Sequence, residues 1–397
     1  MANLSLSPAP PSLRTLTGSE QFAQLDSAAW DRLVSAAARP SPYLLSTWVR
    51  SWLAEPSFEA DPCIVVAERD GALVGAAPFI LRRSGGARLA SFVGAHESAL
   101  GDILLAPDEG VATARSMLDG VIADGKPDAF DVFGLPSGSH LAEVTGQRMT
   151  MIQRVESPVT EMPDGWEAAY ARHASARRRS NDRRRDRQLS EVGDVDYSFA
   201  TDGETVLEDL PAAFELHRMR WEGRPDGSSF GTPGGQRFQL DVLPRLADEG
   251  HYSMLTVRID GRPAAFQAWF AIGPCVYLYR NGYAEEVGRF GPGLIALRRA
   301  MAAASDAGAT RMEYLGGNER YKQELSDRLD PLYQGYGLAR GPVGHLYVAK
   351  ARLSVAIRQR LKRSERLHQL YTSGALRVRR SSPSSPAGDS SEDKAAA

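Results

Sequence analysis

The run from residue 251 to 322 concentrates side chains able to move protons beside backbone able to hold an anion. Arg289-Phe290-Gly291-Pro292-Gly293 precedes an apolar periodic stretch, Leu294, Leu297 and Met301, and so predicts a glycine loop opening a helix. The N–H groups of a first helical turn attract groups such as pyrophosphate. Arg289 would add charge to such a site, whereas Pro292 removes one donor. A tight turn ahead of a helix would read the same way without any ligand. Tyr277, Tyr279 and Tyr283 fall at even spacing on the preceding predicted strand, so their rings should share one face. They are core aromatics or, for Tyr279 beside Arg280 and Asn281, a phenol able to protonate a leaving group. Glu313 opens the last strand of the run, and Glu319, Tyr321 and Lys322 follow it, as catalytic groups or as a simple ion pair at a strand end. His217 lies in a helix read from Pro211 to Trp221; it suits proton transfer near neutral pH, and it suits packing equally well.

These residues need a frame, and the sequence supplies it twice. Ile64 to Asp70-Gly71 and Leu73 to Phe79 read as strand, tight turn, strand, because Asp-Gly between apolar runs is a hairpin signal. Leu255 to Asp260-Gly261 and Pro263 to Phe266 repeat the pattern. Each copy continues to a helix, Val111 to Ala123 and Gly293 to Ala307, and then to a short strand ending in glycine, Phe130 to Gly134 and Met312 to Gly316. The expected fold class is α/β (α+β): two tandem units, each a mostly antiparallel mixed sheet flanked by helices. The expected organisation is a flexible tail over 1–15, a first unit over 16–160, a basic helical connection over 161–210, a second unit over 211–350, a basic helix over 351–380 broken near Gly374, and a disordered tail over 381–397. The last segment holds no large apolar side chain with which to offset its ordering entropy.

With 397 residues, 43% of them hydrophobic, the chain can build a core without disulfides, and its two cysteines, Cys63 and Cys275, sit in apolar runs as expected buried thiols. No run reaches the roughly 18–20 apolar residues needed to cross a bilayer, and the start lacks a signal-peptide pattern, so a cytoplasmic protein is expected, with peripheral membrane contact its outer limit. A net charge of −2 argues against a dedicated nucleic-acid binder. Arginine is nevertheless clustered at 172–187 and 352–380. The first cluster is a solvated helix paired with body carboxylates, or a site for an anionic substrate, coenzyme phosphates or tRNA. Metal-ligand spacings, a phosphate-binding Gly-Lys-Ser/Thr loop and a Gly-x-Ser-x-Gly elbow are not found, so no metal is expected.

The glycine loop, Leu216-His217-Arg218-Met219-Arg220-Trp221, Gly282-Tyr283 and Gly317-Asn318-Glu319-Arg320-Tyr321-Lys322 together resemble the Gcn5-related acyltransferase (GNAT) superfamily, in particular the branch named for the CelD and BcsL proteins of cellulose-biosynthesis clusters. The paired units resemble the FemABX enzymes as well. The resemblance implies transfer of an acyl group from acetyl-CoA or another acyl-CoA to an amine, less readily a hydroxyl, of a sugar or small metabolite, with a link to envelope polysaccharide synthesis. Alternatives are an aminoacyl-tRNA-dependent transferase and a non-catalytic membrane-associated accessory protein. Arg289, Gly291, Gly293 and Leu294 would hold the donor; His217, Glu313, Tyr321, Lys322 and Tyr279 would carry the chemistry. The chain departs from the superfamily's pattern in two places. Arg289 stands two residues before Gly291 rather than three, and Glu313 replaces an aspartate.

Overall fold

The computed structural model describes residues 9–95, 97–221, 229–316 and 319–363. Its strands are β1 (Ser12–Leu16), β2 (Asp61–Arg69), β3 (Ala72–Ser84), β4 (Ala87–Phe92), β5 (Leu104–Leu105), β6 (Ala129–Pro136), β7 (Met149–Glu161), β8 (Val195–Ala200), β9 (Tyr252–Ile259), β10 (Arg262–Ile272), β11 (Cys275–Tyr283), β12 (Arg311–Glu313) and β13 (Arg328–Gly337). Its helices are α1 (Ser19–Ala23), α2 (Ser27–Ala36), α3 (Ser46–Ala54), α4 (Val111–Gly125), α5 (His140–Thr145), α6 (Trp166–His173), α7 (Ala176–Ser190), α8 (Gly203–Trp221), α9 (Pro233–Asp248), α10 (Pro292–Asp306), α11 (Arg320–Glu324) and α12 (Gly341–Arg363). Met1–Val348 is one compact body, and the chain from Ala349 onward is a second unit, of which the end of α12 is described.

Both predicted hairpins form. Asp70 and Gly71, and again Asp260 and Gly261, adopt positive φ in the two turns, the conformation that two-residue hairpin turns require. All the strands join one sheet in the order β1-β2-β3-β4-β6-β13-β7-β12-β11-β10-β9-β8, with β5 on β3. The repeat is visible in the pairing. β1 to β4 form an antiparallel series and β4 then pairs in parallel with β6. β8 to β11 do the same, and β11 pairs in parallel with β12. The last strands are exchanged: β13 closes the first unit on β6, β7 closes the second on β12, and β7 and β13 pair antiparallel at the centre. The architecture is thus the expected tandem of α/β units, each a mostly antiparallel mixed sheet flanked by helices, with one sheet running through both.

Burial follows the strand alternation. One face of the sheet carries a core shared by both halves, with Trp30, Trp48, Phe214 and Phe238 of the helices against Ile64, Val66, Phe266, Phe270 and Tyr277 of the strands. On the other face α4 covers the first unit and α10 the second, each over a core of its own. Cys63 and Cys275 are buried thiols.

Several boundaries differ from the sequence reading. Ser12–Leu16, whose first four residues fall in the expected tail, is an edge strand on β2. The basic connection contains β8, which pairs with β9. Pro211 lies inside α8, which starts at Gly203. The final helix starts at Gly341, and the predicted helix beyond 363, its break near Gly374 and the tail over 381–397 lie outside the described residues.

Candidate active site

In the second unit the parallel ladder between β11 and β12 ends at Tyr277 and Glu313. Beyond it the two chains separate. Leu315 and Gly316 leave the strand with φ of 55° and 120°, a left-handed turn that a leucine adopts only under constraint. On the other side β11 bulges, because Gln267 faces Asn281 while Trp269 faces Leu278, leaving one extra residue on β11. The bulge brings the consecutive side chains Tyr279 and Arg280 together, with the guanidinium carbon 4.9 Å from the ring centroid.

The resulting wedge is a cavity of about 250 Å³ lined among others by Tyr43, Glu97, His217, Gln267, Tyr279, Arg280, Asn281, Glu319 and Lys322. His217 comes from α8, which can lie against β11 because position 282 is glycine; a Cβ there would sit 3.0 Å from the Leu216 carbonyl. The imidazole is 4% exposed and lies 5.3 Å from the Phe230 ring. Glu97 enters from the first unit and reaches Arg280 at 3.4 Å. Lys322 Nζ donates to the Gly316 carbonyl at 2.7 Å and pairs with Glu319 at 3.2 Å, so it fixes the turn at the wedge mouth. Gln267 is 1% exposed; its amide nitrogen donates to the Ala268 carbonyl at 2.9 Å, leaving the side-chain oxygen as an acceptor. The Tyr279 phenol is pushed up to about 12, chiefly by burial, with Glu97 adding to the rise and Arg280, Gln239 and Ser229 opposing it. Burial also raises Tyr43.

The predicted residues therefore separate into groups. His217, Tyr279 and Lys322 line one cavity. Tyr321 stands behind it, accepting from Asn281 Nδ2 at 3.5 Å. Glu313 is not in the lining. Its carboxylate is 0% exposed, bound by Arg39 at 2.5 Å and by Arg311 at 2.8 Å. With both oxygens held by guanidinium groups it is a buried anchor between β12 and the segment after α2. The expectation that three tyrosines share a face fails at Tyr283. The β11 bulge changes the parity, and the Tyr283 ring lies against the head of α10, 3.3 Å from where a Gly293 Cβ would stand.

The loop forms as predicted, a short 3-10 turn over Glu285–Phe290 followed by Gly291 at φ 69° and Pro292 as the first residue of α10. It is a poor backbone cradle. The Gly291 N–H donates to the Gly288 carbonyl at 3.0 Å, Pro292 has none, and the Leu294 N–H donates to the Gly291 carbonyl at 3.0 Å. Arg289 is exposed and lies 4.7 Å over the Phe290 ring, and Leu294 packs into the core under α10. Side chains beyond Met219 in the His217 run, and Gly317-Asn318, lie outside the described residues.

Tyr43, Glu97 and Gln267 were not legible as site residues. One signal for Glu97 was available: residues 93–110 between β4 and α4 form a longer connection than residues 284–291 between β11 and α10, and surplus chain at one copy of a repeat often carries function. Among the described residues no group of His, Cys, Asp and Glu is arranged to hold a metal, and no helix is long and apolar enough to cross a membrane.

Residues 176–323, from the start of α7 into α11, match the family described as Acetyltransferase (GNAT) domain. None of the curated proteins matches the chain in sequence. Among solved structures the chain is similar to FemX (TM-score 0.55, 11% identity, covering 78% of this chain and 96% of that one). It is similar also to L-PGS from Bacillus licheniformis (TM-score 0.52, 12% identity, 82% and 96%). A conserved protein of unknown function from Bacteroides thetaiotaomicron VPI-5482 aligns at TM-score 0.53 with 11% identity, 79% and 98%. At these identities the likeness concerns the fold, and it extends over both halves of the sheet.

Proposed function

We propose that this chain is an acyltransferase whose reaction takes place in the wedge between β11 and β12, moving an acyl group from an acyl-CoA such as acetyl-CoA to an amine of a sugar or small metabolite. The observation that carries the reading is the coincidence of three features within the span matching the acetyltransferase domain: strands that separate into a cavity, a histidine in its wall, and a glycine-led helix at the end of the same strand. Beyond Tyr277 the β11 backbone is released from β12 and can receive an extended amide-bearing arm as a strand receives a partner.

In this reading His217 takes the proton from the attacking amine. The C–N bond forms, the C–S bond breaks, and the thiolate leaves and is protonated. Arg280, held at the bulge, is the donor in the cavity wall for the developing oxyanion. Tyr279 has a neutral phenol at working pH, as an acid must, but its ring is packed by Tyr43, Trp48 and Phe270, so its main part is to support Arg280. Lys322 positions the turn and Tyr321 positions Asn281; Glu313 is assigned to the fold.

Thiol release from acetyl-CoA in the presence of a panel of amino sugars and small amines tests the reading. Turnover with at least one amine, lost in His217→Ala with folding intact, is the expected result. No turnover with any of them, together with no calorimetric binding of acetyl-CoA or a longer acyl-CoA, would refute it. A second reading, an aminoacyl-tRNA donor, draws on one observation: the loop before α10 has few free donors, while an arginine-rich helix lies against it.

A further inference from the structure

Helix α7 carries seven arginines from Arg177 to Arg187 and two acids, Asp182 and Asp186. The structure sorts them by face. Asp182 is buried and accepts the Tyr170 hydroxyl, while Asp186 accepts from Arg298 at 2.8 Å. Both acids are thereby directed inward. Arg178 pairs with Glu324 at 2.7 Å and Arg179 donates to the Ala174 carbonyl. Arg177, Arg183, Arg184 and Arg187 are exposed, and among the described residues none of them is in an ion pair. Arg185 is 3.7 Å from Asp182, and its guanidinium lies beside the loop, 3.9 Å from where a Gly291 Cβ would stand. A helix whose acids are engaged inward and four of whose seven arginines are exposed, outside any ion pair among the described residues, presents a positive surface to anions.

The position of that surface gives it a purpose. At about 100° per residue, Arg184 lies next round the helix from Arg185, and Arg177, seven residues earlier, stands on the same stripe as Arg184. Arg185, Arg184 and Arg177 thus form one flank that leads away from the head of α10. Arg183 and Arg187, four apart, form the other outward stripe. The loop at the head of α10 offers a phosphate little backbone beyond the Gly293 N–H, because the Gly291 and Leu294 N–H groups already donate within the loop and Pro292 has none.

Resting on the acyl-transfer reading, we propose that the phosphates of the acyl donor are gripped by the Arg185, Arg184 and Arg177 flank of α7, with Arg185 at Gly291 nearest the reacting end, in place of a backbone cradle. The chemistry recognised is a phosphate ester joined to an acyl carrier. Coenzyme A and the 3′ end of an aminoacylated RNA both present it.

Full-length protein is titrated with acetyl-CoA and, separately, with a short RNA hairpin bearing a single-stranded 3′ end, each at several salt concentrations. Three proteins are compared: the wild type, the triple variant Arg177→Gln/Arg184→Gln/Arg185→Gln, and the double variant Arg183→Gln/Arg187→Gln. Their thermal melts should coincide, since the changed groups are exposed. The expected result is at least tenfold weaker binding by the triple variant and no more than about a threefold change in the double. If acetyl-CoA is the probe that behaves so, the donor is coenzyme-borne. If the hairpin behaves so, it is RNA-borne, and the salt slope should fall by about 0.7–0.9 for each phosphate contact removed. Equal binding by wild type and triple variant, or an equal loss in the two variants, overturns the assignment to this flank and leaves the acyl-transfer reading standing. Failure of the wild type to bind either probe overturns both.

Discussion

The two units diverge at the same place in their topology and fill it differently. In the second, β11 and β12 separate after three paired positions and the gap is a cavity. In the first, β4 and β6 separate after Leu89–Ala129 and Ala90–Phe130, and the gap is closed by the unit's own chain. The Gly101 N–H donates to the Gly134 carbonyl at 3.1 Å, and Ser91 Oγ bridges to the Asp131 carbonyl at 2.8 Å. Gly134, at φ 81°, is so close that a Cβ would meet the Ala99 carbonyl at 2.5 Å. The β3–β4 ladder also has no bulge where the β10–β11 ladder has one. A duplicated fold need not duplicate its cavity: one wedge is open, and the loop that closes the other, around Gly101, delivers Glu97 to the open one.

His217→Ala should lower kcat by about 10²–10⁴, the usual contribution of a positioned general base, with a melting temperature within a few degrees of wild type. Turnover and a thermal melt measured on the same sample check it. A variant retaining more than a tenth of wild-type turnover would remove His217 from proton transfer and leave it as a wall residue.

Next in size is the anchor between the halves. Glu313→Ala leaves Arg39, whose side chain is 9% exposed, facing an empty carboxylate position. Breaking a buried pair costs about 3–5 kcal/mol, because a charge remains without compensation. Urea unfolding should show that loss. A loss below about 1 kcal/mol would mean that the carboxylate is dispensable to the fold, and would return Glu313 to the list of functional residues.

Gly134→Ala acts on the closed wedge. A side chain at positive φ, meeting a backbone carbonyl, should cost about 1–3 kcal/mol. Because the loop it displaces carries Glu97, the change should also raise the Michaelis constant at the other unit's site. An effect confined to stability would show that the two wedges are mechanically independent.

These particulars also show what the sequence could reveal. Asp-Gly turns, the helix after each hairpin and the glycine ahead of α10 are local signals, set by two or three residues, and the hairpins, helices and loop form where they were read. The exchange of β7 and β13 could not be read in that way, since each strand would satisfy the same alternation on either neighbour. The parity change at Tyr279 and Arg280 was hidden for a related reason: a bulge is defined by the partner strand, and evenly spaced tyrosines give no sign of it. His217 and Lys322 were legible because their residue types are informative, whereas Glu97 comes to the site across more than a hundred residues and only the surplus loop hinted at it. Glu313 was legible as a carboxylate but not as an anchor, because Arg39 lies 274 positions away.

Alkaline pH offers a gentler test of how tightly the cores on the two faces of the sheet are closed. Burial pushes Cys63 up to about 11, Cys275 to about 12 and the Tyr279 phenol to about 12, from ordinary values of 9.0, 9.0 and 10.0. All three are raised, so the unfolded chain loses these protons first. The stability they contribute is complete below pH 9 and is lost as pH rises towards 12. Denaturant midpoints should therefore be level on their account from pH 7 to about 9 and fall above it. Cys275→Ser and Cys63→Ser should each make the fall shallower, and a fall unchanged in both would place its cause elsewhere.

The smallest effect addresses the one side chain the first unit lends to the second. Glu97 is 3.4 Å from Arg280, long for a charge-assisted hydrogen bond, so the pair is a weak source of stability, and Glu97→Gln, which keeps the shape and a polar acceptor, should shift unfolding by less than about 1 kcal/mol. Its consequence is positional. Arg280 lies between Glu97 and the Tyr279 ring, and loss of the negative charge frees the guanidinium to move across the cavity. The expected outcome is a several-fold rise in the Michaelis constant for the amine, with kcat changed by less than about threefold, and partial recovery in Glu97→Asp. A fall in kcat with an unchanged Michaelis constant would instead make Glu97 the group that accepts the amine's proton. His217 would then be the residue that holds the wall, and the loop that closed the first wedge would have become part of the chemistry of the second.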